Sequence, residues 1–187
     1  MGRLLWLVRH AQPPGAQGLC YGRHDLPADE AQTRSVARGL DEVLPPGIHV
    51  RVSPLGRCRQ LARALEALRP GLSAAFDPRL AEMDFGAWEN RPWDEIPRGE
   101  IDAWTADFPG FRAGGSGETV AEVFARVAAA LQDARATPGG EAWITHAGVI
   151  RAAGRVLLRG DASAPAAAGD WPRSGPRWGE WQVMALE

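Results

Sequence analysis

Apolar residues run unbroken from Leu4 through Leu5, Trp6 and Leu7 to Val8, bounded by Arg3 and Arg9, the pattern of a strand buried on both faces. Ile48, Val50 and Val52 alternate with polar neighbours over a second short strand, and residues 142–145 form a third. Between these runs the period becomes helical. Val36, Leu40 and Val43 keep helical spacing until Pro45-Pro46, and Leu61, Leu65 and Leu68 do so up to Pro70. Val120, Val123, Phe124, Val127 and Leu131 line one face of a third helix, which Pro138-Gly139-Gly140 ends; Val149, Ile150, Ala153, Val156 and Leu157 build a fourth. Ser53-Pro54 reads as an N-cap followed by proline at the first helical position, so that helix is predicted to start at Pro54 and to carry Arg57 in its opening turn. Strands alternating with helices predict an α/β fold of three layers, a mostly parallel central sheet with helices on both faces, and residues 181–186 as an edge strand at the C-terminus.

The remaining segments are irregular. Residues 12–28 are interrupted by Pro and Gly and begin beside His10, as a substrate-facing loop does. Residues 76–115 have weak periodicity, with Trp88, Trp93 and Trp104 among Pro, Gly and acidic residues, and are expected to form short helices over the site. Residues 161–179 are rich in Ala, Pro and Gly. No internal repeat is present, and 187 residues predict one domain over 1–187.

The formal charge of −2 gives no global attraction to nucleic acid or to an acidic membrane surface. All 21 basic residues are Arg, which excludes P-loop, Schiff-base and kinase chemistry built on Lys. Cys20 and Cys58 are too few and too scattered for a disulfide framework or a zinc site. Neither fits a cysteine phosphatase, because the position six residues on, where a phosphate-cradling Arg is needed, holds Leu26 or Ala64. The first apolar run is too short for a signal segment or a membrane span, so a soluble, cytoplasmic protein is expected.

Arg9-His10, Ser53 to Arg57 and Thr145-His146-Ala147 each follow the end of an apolar run. If the runs are parallel strands, two histidines and two arginines converge at one sheet edge, where α/β folds bind ligands. Arginine's planar fork suits phosphate oxygens, and a neutral imidazole can attack phosphorus. His24 and His49 read as structural residues, Arg59 and Arg63 as a solvated helix face, and the Trp residues as core or lid packing.

Arg9-His10, Ser53-x-Leu55-x-Arg57, the run from Glu82 to Glu89 and Thr145-His146-Ala147-Gly148, in this order, resemble the histidine phosphatase superfamily, whose fold is phosphoglycerate mutase-like. The resemblance spans roughly residues 4–158 and implies that His10 becomes the phosphohistidine, that Arg9, Arg57 and His146 form the phosphate pocket, and that Glu82 is the proton donor. Neighbouring guanidinium groups favour the neutral His10 that attack requires and can offset phosphoryl charge without a metal or other cofactor. His146 is expected to be protonated once phosphate is bound, and Glu82 to be raised by burial against Phe85 or Trp88. Glu89 is a rival for the acid. The sequence departs from the family in Ala11-Gln12-Pro13-Pro14, where a Gly and a phosphate-binding Asn are usual; Gln12 is the expected substitute.

Residues 18–27, with Gly114 to Glu118, resemble alpha-ribazole phosphatases. That resemblance implies alpha-ribazole 5′-phosphate or adenosylcobalamin 5′-phosphate as substrate, with Tyr21, Gly22, Arg23 and Ala147 as substrate-binding residues. The alternatives are a broad small-molecule or sugar phosphatase, a phosphoglycerate mutase-type enzyme, which the short chain disfavours, and a non-catalytic phospho-ligand binder. The partner is thus a small phosphomonoester, with no nucleic acid, membrane or metal; the oligomeric state stays open, a homodimer being one option.

Overall fold

A computed structural model describes residues 3–186. Strands β1 (Leu4–Arg9), β3 (His49–Val52), β4 (Ala74–Phe76), β6 (Glu141–Thr145) and β7 (Trp181–Ala185) form one sheet in the order β4-β3-β6-β1-β7. All its neighbours pair in parallel except β7, which runs antiparallel to β1 at the edge. A two-stranded ribbon of β2 (Leu19–Cys20) and β5 (Arg91–Pro92) stands apart. The helices are α1 (Glu30–Val43), α2 (Gly56–Leu68), α3 (Arg98–Ala106), α4 (Val120–Ala136) and α5 (Ala147–Arg159), joined by short 3₁₀ turns across residues 78–115.

The central strands are apolar throughout because both faces are covered. Leu5, Leu7 and Trp143 point into a core shared with α4, α5 and the aromatic segment around Trp88. Val8, Ala142 and Ile144 point the other way, into a second core with Val36, Leu40, Leu61 and Leu65 of α1 and α2. Burying each such side chain contributes about 1.5–3 kcal/mol relative to leaving it in water. The helical faces read from spacing are buried along most of their length, but Val43 and Leu68, the last residues of α1 and α2, are exposed at the helix ends. A capping box fixes the start of α4: Thr119 Oγ1 accepts from the Glu122 amide at 3.1 Å, and the Glu122 carboxylate accepts from the Thr119 amide at 2.8 Å.

One expectation is overturned locally. The second helix starts at Gly56, with Leu55 in the cap position and no side-chain cap, so Ser53 and Pro54 lie outside it. Ser53 is fully buried, and its hydroxyl lies 2.7 Å from His146 Nε2 while accepting only a long 3.4 Å contact from the Leu55 amide, ahead of the helix. The tertiary partner is the closer one.

Candidate active site

Register places the site. Val8 and Arg9 of β1 lie beside Ile144 and Thr145 of β6, and Val52 of β3 lies on the other side of Ile144. The residues that follow are stitched in the same way: the His10 amide donates to Thr145 O at 3.2 Å and the Ser53 amide to Ile144 O at 3.0 Å. His10, Ser53 and His146 therefore leave three adjacent parallel strands at one level. The rings of His10 and His146 meet edge to face, centroids 5.1 Å apart.

Arg57, in the first turn of α2, rises between them and is fully buried. Its Nε lies 3.3 Å from His10 Nε2 and 3.3 Å from His146 Nδ1. Nη1 donates to the His24 carbonyl at 3.0 Å and Nη2 to the Gly22 carbonyl at 2.6 Å. The nearest carboxylate, that of Asp25, is 3.6 Å from Nη1 and half-exposed. A buried cation so weakly balanced suits an incoming anion.

Both imidazoles are neutral here. Burial, followed by the charge of Arg57, pushes His10 from 6.5 down to about 3. Its Nδ1 sits 2.7 Å from the Ala11 carbonyl, which can only accept, so the proton is on Nδ1 and the Nε2 lone pair faces the pocket. Burial, then Arg57 and His10, lowers His146 well below the ordinary value, so an imidazolium is disfavoured in the empty pocket. Arg9 stacks its guanidinium 4.7 Å over the Trp178 ring and donates from Nη1 to the Pro176 carbonyl at 3.2 Å; its buried Nε has no partner.

Glu82 is half-buried, and its carboxylate accepts the amides of Gly148 and Met83, each at 3.0 Å. It thus sits on the first turn of α5, where the helix dipole favours a negative group. Burial against Trp88 plays no part: that ring is in the core, its Nε1 donating to Glu100 at 2.5 Å. Glu89 is consumed elsewhere. It accepts the amides of Gly22, Arg23, His24 and Phe85 at 2.9 to 3.0 Å, so it anchors the loop at residues 22–24 and does not line the cavity.

Arg9, His10, Arg57, Glu82, Tyr21 and Ala147 line one cavity of about 350 Å³, whose far wall is aromatic: Phe85, Trp93, Trp104, Phe108 and Trp171. Tyr21 lies with its ring 5.1 Å from the Arg57 guanidinium carbon and accepts from Trp178 Nε1 at 3.2 Å. Gly22 acts through its carbonyl, and a Cβ there would stand 1.7 Å from the Met83 carbonyl oxygen. Arg23 faces outward, donating to the Glu82 carbonyl at 3.1 Å and lying 3.7 Å from Glu118; it does not line the cavity. Gln12 does not line it either. Its backbone is tied to α1, donating to Gln32 Oε1 at 2.6 Å and accepting the Asp29 amide at 2.8 Å.

Three contributors escaped the sequence reading: Ser53, Trp178 and Arg151. Arg151 lines the cavity one helical turn beyond Gly148, and its buried Nε has no partner. Its spacing of four residues from Ala147 on the same helix was the available signal. Among the described residues no cluster of three or more His, Cys, Asp or Glu could hold a metal ion, and no helix is long and apolar enough to cross a membrane.

Residues 5–169 match the family described as the histidine phosphatase superfamily (branch 1). The chain is 33% identical over 141 residues to the protein named Probable phosphoglycerate mutase GpmB of Yersinia pestis (strain Pestoides F), an alignment covering 73% of this chain and 65% of that one. The chain thus spans about two thirds of the length of that relative. Among solved structures, a mycobacterial glucosyl-3-phosphoglycerate phosphatase aligns with a TM-score of 0.79 at 24% identity, over 98% of this chain and 90% of that one. A protein from Thermus thermophilus aligns with a TM-score of 0.68 at 28% identity, over 97% and 92%.

The depressed His10 has a consequence for stability. The unfolded chain binds a proton on this ring below about 6.5 and the folded chain only below about 3, so between those values the unfolded state holds more protons and stability falls as pH falls. His10→Asn should therefore lose less stability than the native chain between pH 6.5 and 4, measured by urea unfolding at each pH. Parallel losses in the two proteins would show that His10 is not held neutral.

Proposed function

The chain belongs to the histidine phosphatase superfamily, and on that footing we propose that it is a phosphomonoesterase working through a phosphohistidine on His10. The observation that carries this reading is the fixed tautomer of His10, whose Nε2 lone pair faces a buried, under-neutralised Arg57. A phosphoryl group bound there places its oxygens against Arg57, Arg9 and His146. The His10 Nε2–P bond forms as the bond from phosphorus to the leaving oxygen breaks, and the guanidinium groups offset charge on the equatorial oxygens.

Glu82 supplies the proton to the leaving oxygen. The resulting carboxylate then takes a proton from the water that attacks the phosphohistidine, which releases phosphate and restores neutral His10. Glu82→Gln should slow single-turnover phosphorylation by about 10²-fold or more with an alkyl ester such as a ribose 5′-phosphate, and less with p-nitrophenyl phosphate, whose leaving group needs no proton. Equal losses on both would remove Glu82 from the acid's role.

For the substrate, the reading is alpha-ribazole 5′-phosphate or the related adenosylcobalamin 5′-phosphate, in a cytoplasmic enzyme. A flat apolar leaving group fits Tyr21 and the wall of Phe85, Trp93, Trp104, Phe108 and Trp171. A second reading is favoured by Arg9 and Arg151, whose buried Nε atoms lack partners. Because Gly148 holds Glu82 and Arg151 is one turn further along α5, its charge falls on the leaving-group side, suited to a carboxylate-bearing ester such as a phosphoglycerate.

One comparison separates the two. The first reading expects kcat/KM for alpha-ribazole 5′-phosphate to exceed that for p-nitrophenyl phosphate by about 10²-fold or more, and Tyr21→Ala to lower that ratio at least about tenfold. The second expects 3-phosphoglycerate to exceed glycerol 3-phosphate by about tenfold or more, a preference lost in Arg151→Gln. A flat profile across all four esters would leave a generalist phosphatase.

A further inference from the structure

The two histidines of the pocket have partners of different kinds. His10 Nδ1 meets a backbone carbonyl, which accepts only, so its neutral form has one tautomer. His146 Nε2 meets the Ser53 hydroxyl at 2.7 Å, and a hydroxyl can accept or donate without moving its oxygen. On the opposite side of the same ring, Nδ1 accepts from Arg57 Nε at 3.3 Å, which places the ring proton on Nε2 and makes Ser53 the acceptor. In that state His146 offers a lone pair, not a proton, to the phosphate pocket.

An anion cannot be bound by a lone pair. A phosphoryl oxygen next to Nδ1 requires a proton there, and two routes supply it. Adding a second proton makes an imidazolium, which burial opposes first and the charges of Arg57, Arg126 and Arg9 oppose further. Moving the proton from Nε2 to Nδ1 keeps the ring neutral but leaves an Nε2 lone pair in a site sealed from water, His146 being 1% exposed. That lone pair needs a donor. Ser53, itself 0% exposed, is the strong donor in reach; the Cys58 thiol, 3.5 Å away, is a weak one.

We propose that Ser53 is a positioning residue that sets the tautomer of His146, letting the ring change from acceptor in the empty pocket to neutral donor when phosphate arrives. The exchange takes one proton from Nε2 and places one on Nδ1, carried by water admitted only during a transient opening of the pocket as phosphate enters, so the ring's charge is unchanged and the closed site is again sealed. The Ser53 O–H turns to donate to Nε2. Arg57 Nε–H, which His146 and His10 share in the empty pocket, loses its His146 acceptor, and its other acceptor, the His10 Nε2 lone pair, turns to phosphorus in the reaction. The requirement also accounts for the buried position of Ser53, which caps no helix. The inference rests on the reading of this pocket as a phosphoryl site.

The test is ¹⁵N NMR of the full chain labelled at histidine, without and with orthovanadate, the exposed rings of His24 and His49 serving as internal references. The expected result is His146 protonated on Nε2 in the empty protein and on Nδ1, still neutral, in the complex. Ser53→Ala should weaken vanadate inhibition about tenfold or more, the scale of leaving a buried acceptor unpaired, while Ser53→Thr, which keeps the hydroxyl, should restore it. An imidazolium at His146 in the complex, an unchanged Nε2–H, or Ser53→Ala inhibition within twofold of the native protein would each overturn the proposal while leaving the phosphate pocket standing. Failure of vanadate to perturb His10 as well would overturn both.

Discussion

The site depends on keeping one guanidinium out of water. Arg57 is fully buried with a single, half-exposed carboxylate near it, so its donors must be met by something else. The carbonyls of Gly22 and His24 take its two terminal nitrogens, and the two catalytic-edge imidazoles share Nε. The loop at residues 22–24 is consequently gripped from two sides: its carbonyls point to a cation, and its three amides point to the carboxylate of Glu89. Neither charge is paired directly with the other. The peptide dipoles between them carry the complementarity, and the loop is held rigid beside the pocket as a result.

That arrangement explains why the imidazoles stay neutral. Burial makes a charged ring costly and the cation between the two rings adds to that cost, so both imidazoles are held neutral in the empty pocket and His10 keeps its lone pair. The same unbalanced charge suits the phosphate of the proposed reaction. The fold contributes the alignment, since β1, β6 and β3 end in register and deliver His10, His146 and Ser53 at one level without adjustable loops. Sites carried on strand ends and helix starts hold geometry better than sites on long loops.

Much of this was legible in the sequence, for physical reasons. Strands covered on both faces must be apolar throughout, so β1 and β6 announce themselves, and the Arg or His that ends each run marks the edge. Helical faces were legible because one stripe of each is buried. Ser53 was not, because Ser-Pro before a helix has the chemistry of a cap, and only the tertiary fold shows that His146 claims the hydroxyl. Trp178 depends on how residues 161–180 fold back over Arg9, which no periodicity encodes; Arg151 carried a signal in its helical spacing from Ala147, but not one that told a cavity wall from an ordinary helix face. Gln12 and Arg23 were placed at the site by resemblance, Gln12 in place of a phosphate-binding Asn and Arg23 within the 18–27 loop, but neither lines the cavity. β2 and β5 pair over two residues each, too short to leave a pattern.

The central claim is that His10 attacks phosphorus as a neutral nucleophile. It is tested most directly by mixing the protein with ³²P-labelled phosphomonoester, quenching within one turnover and mapping the label. The account predicts an acid-labile, base-stable phosphoenzyme on His10 that is absent in His10→Ala. Label that survives acid on a serine, or turnover that persists in His10→Ala, would contradict it.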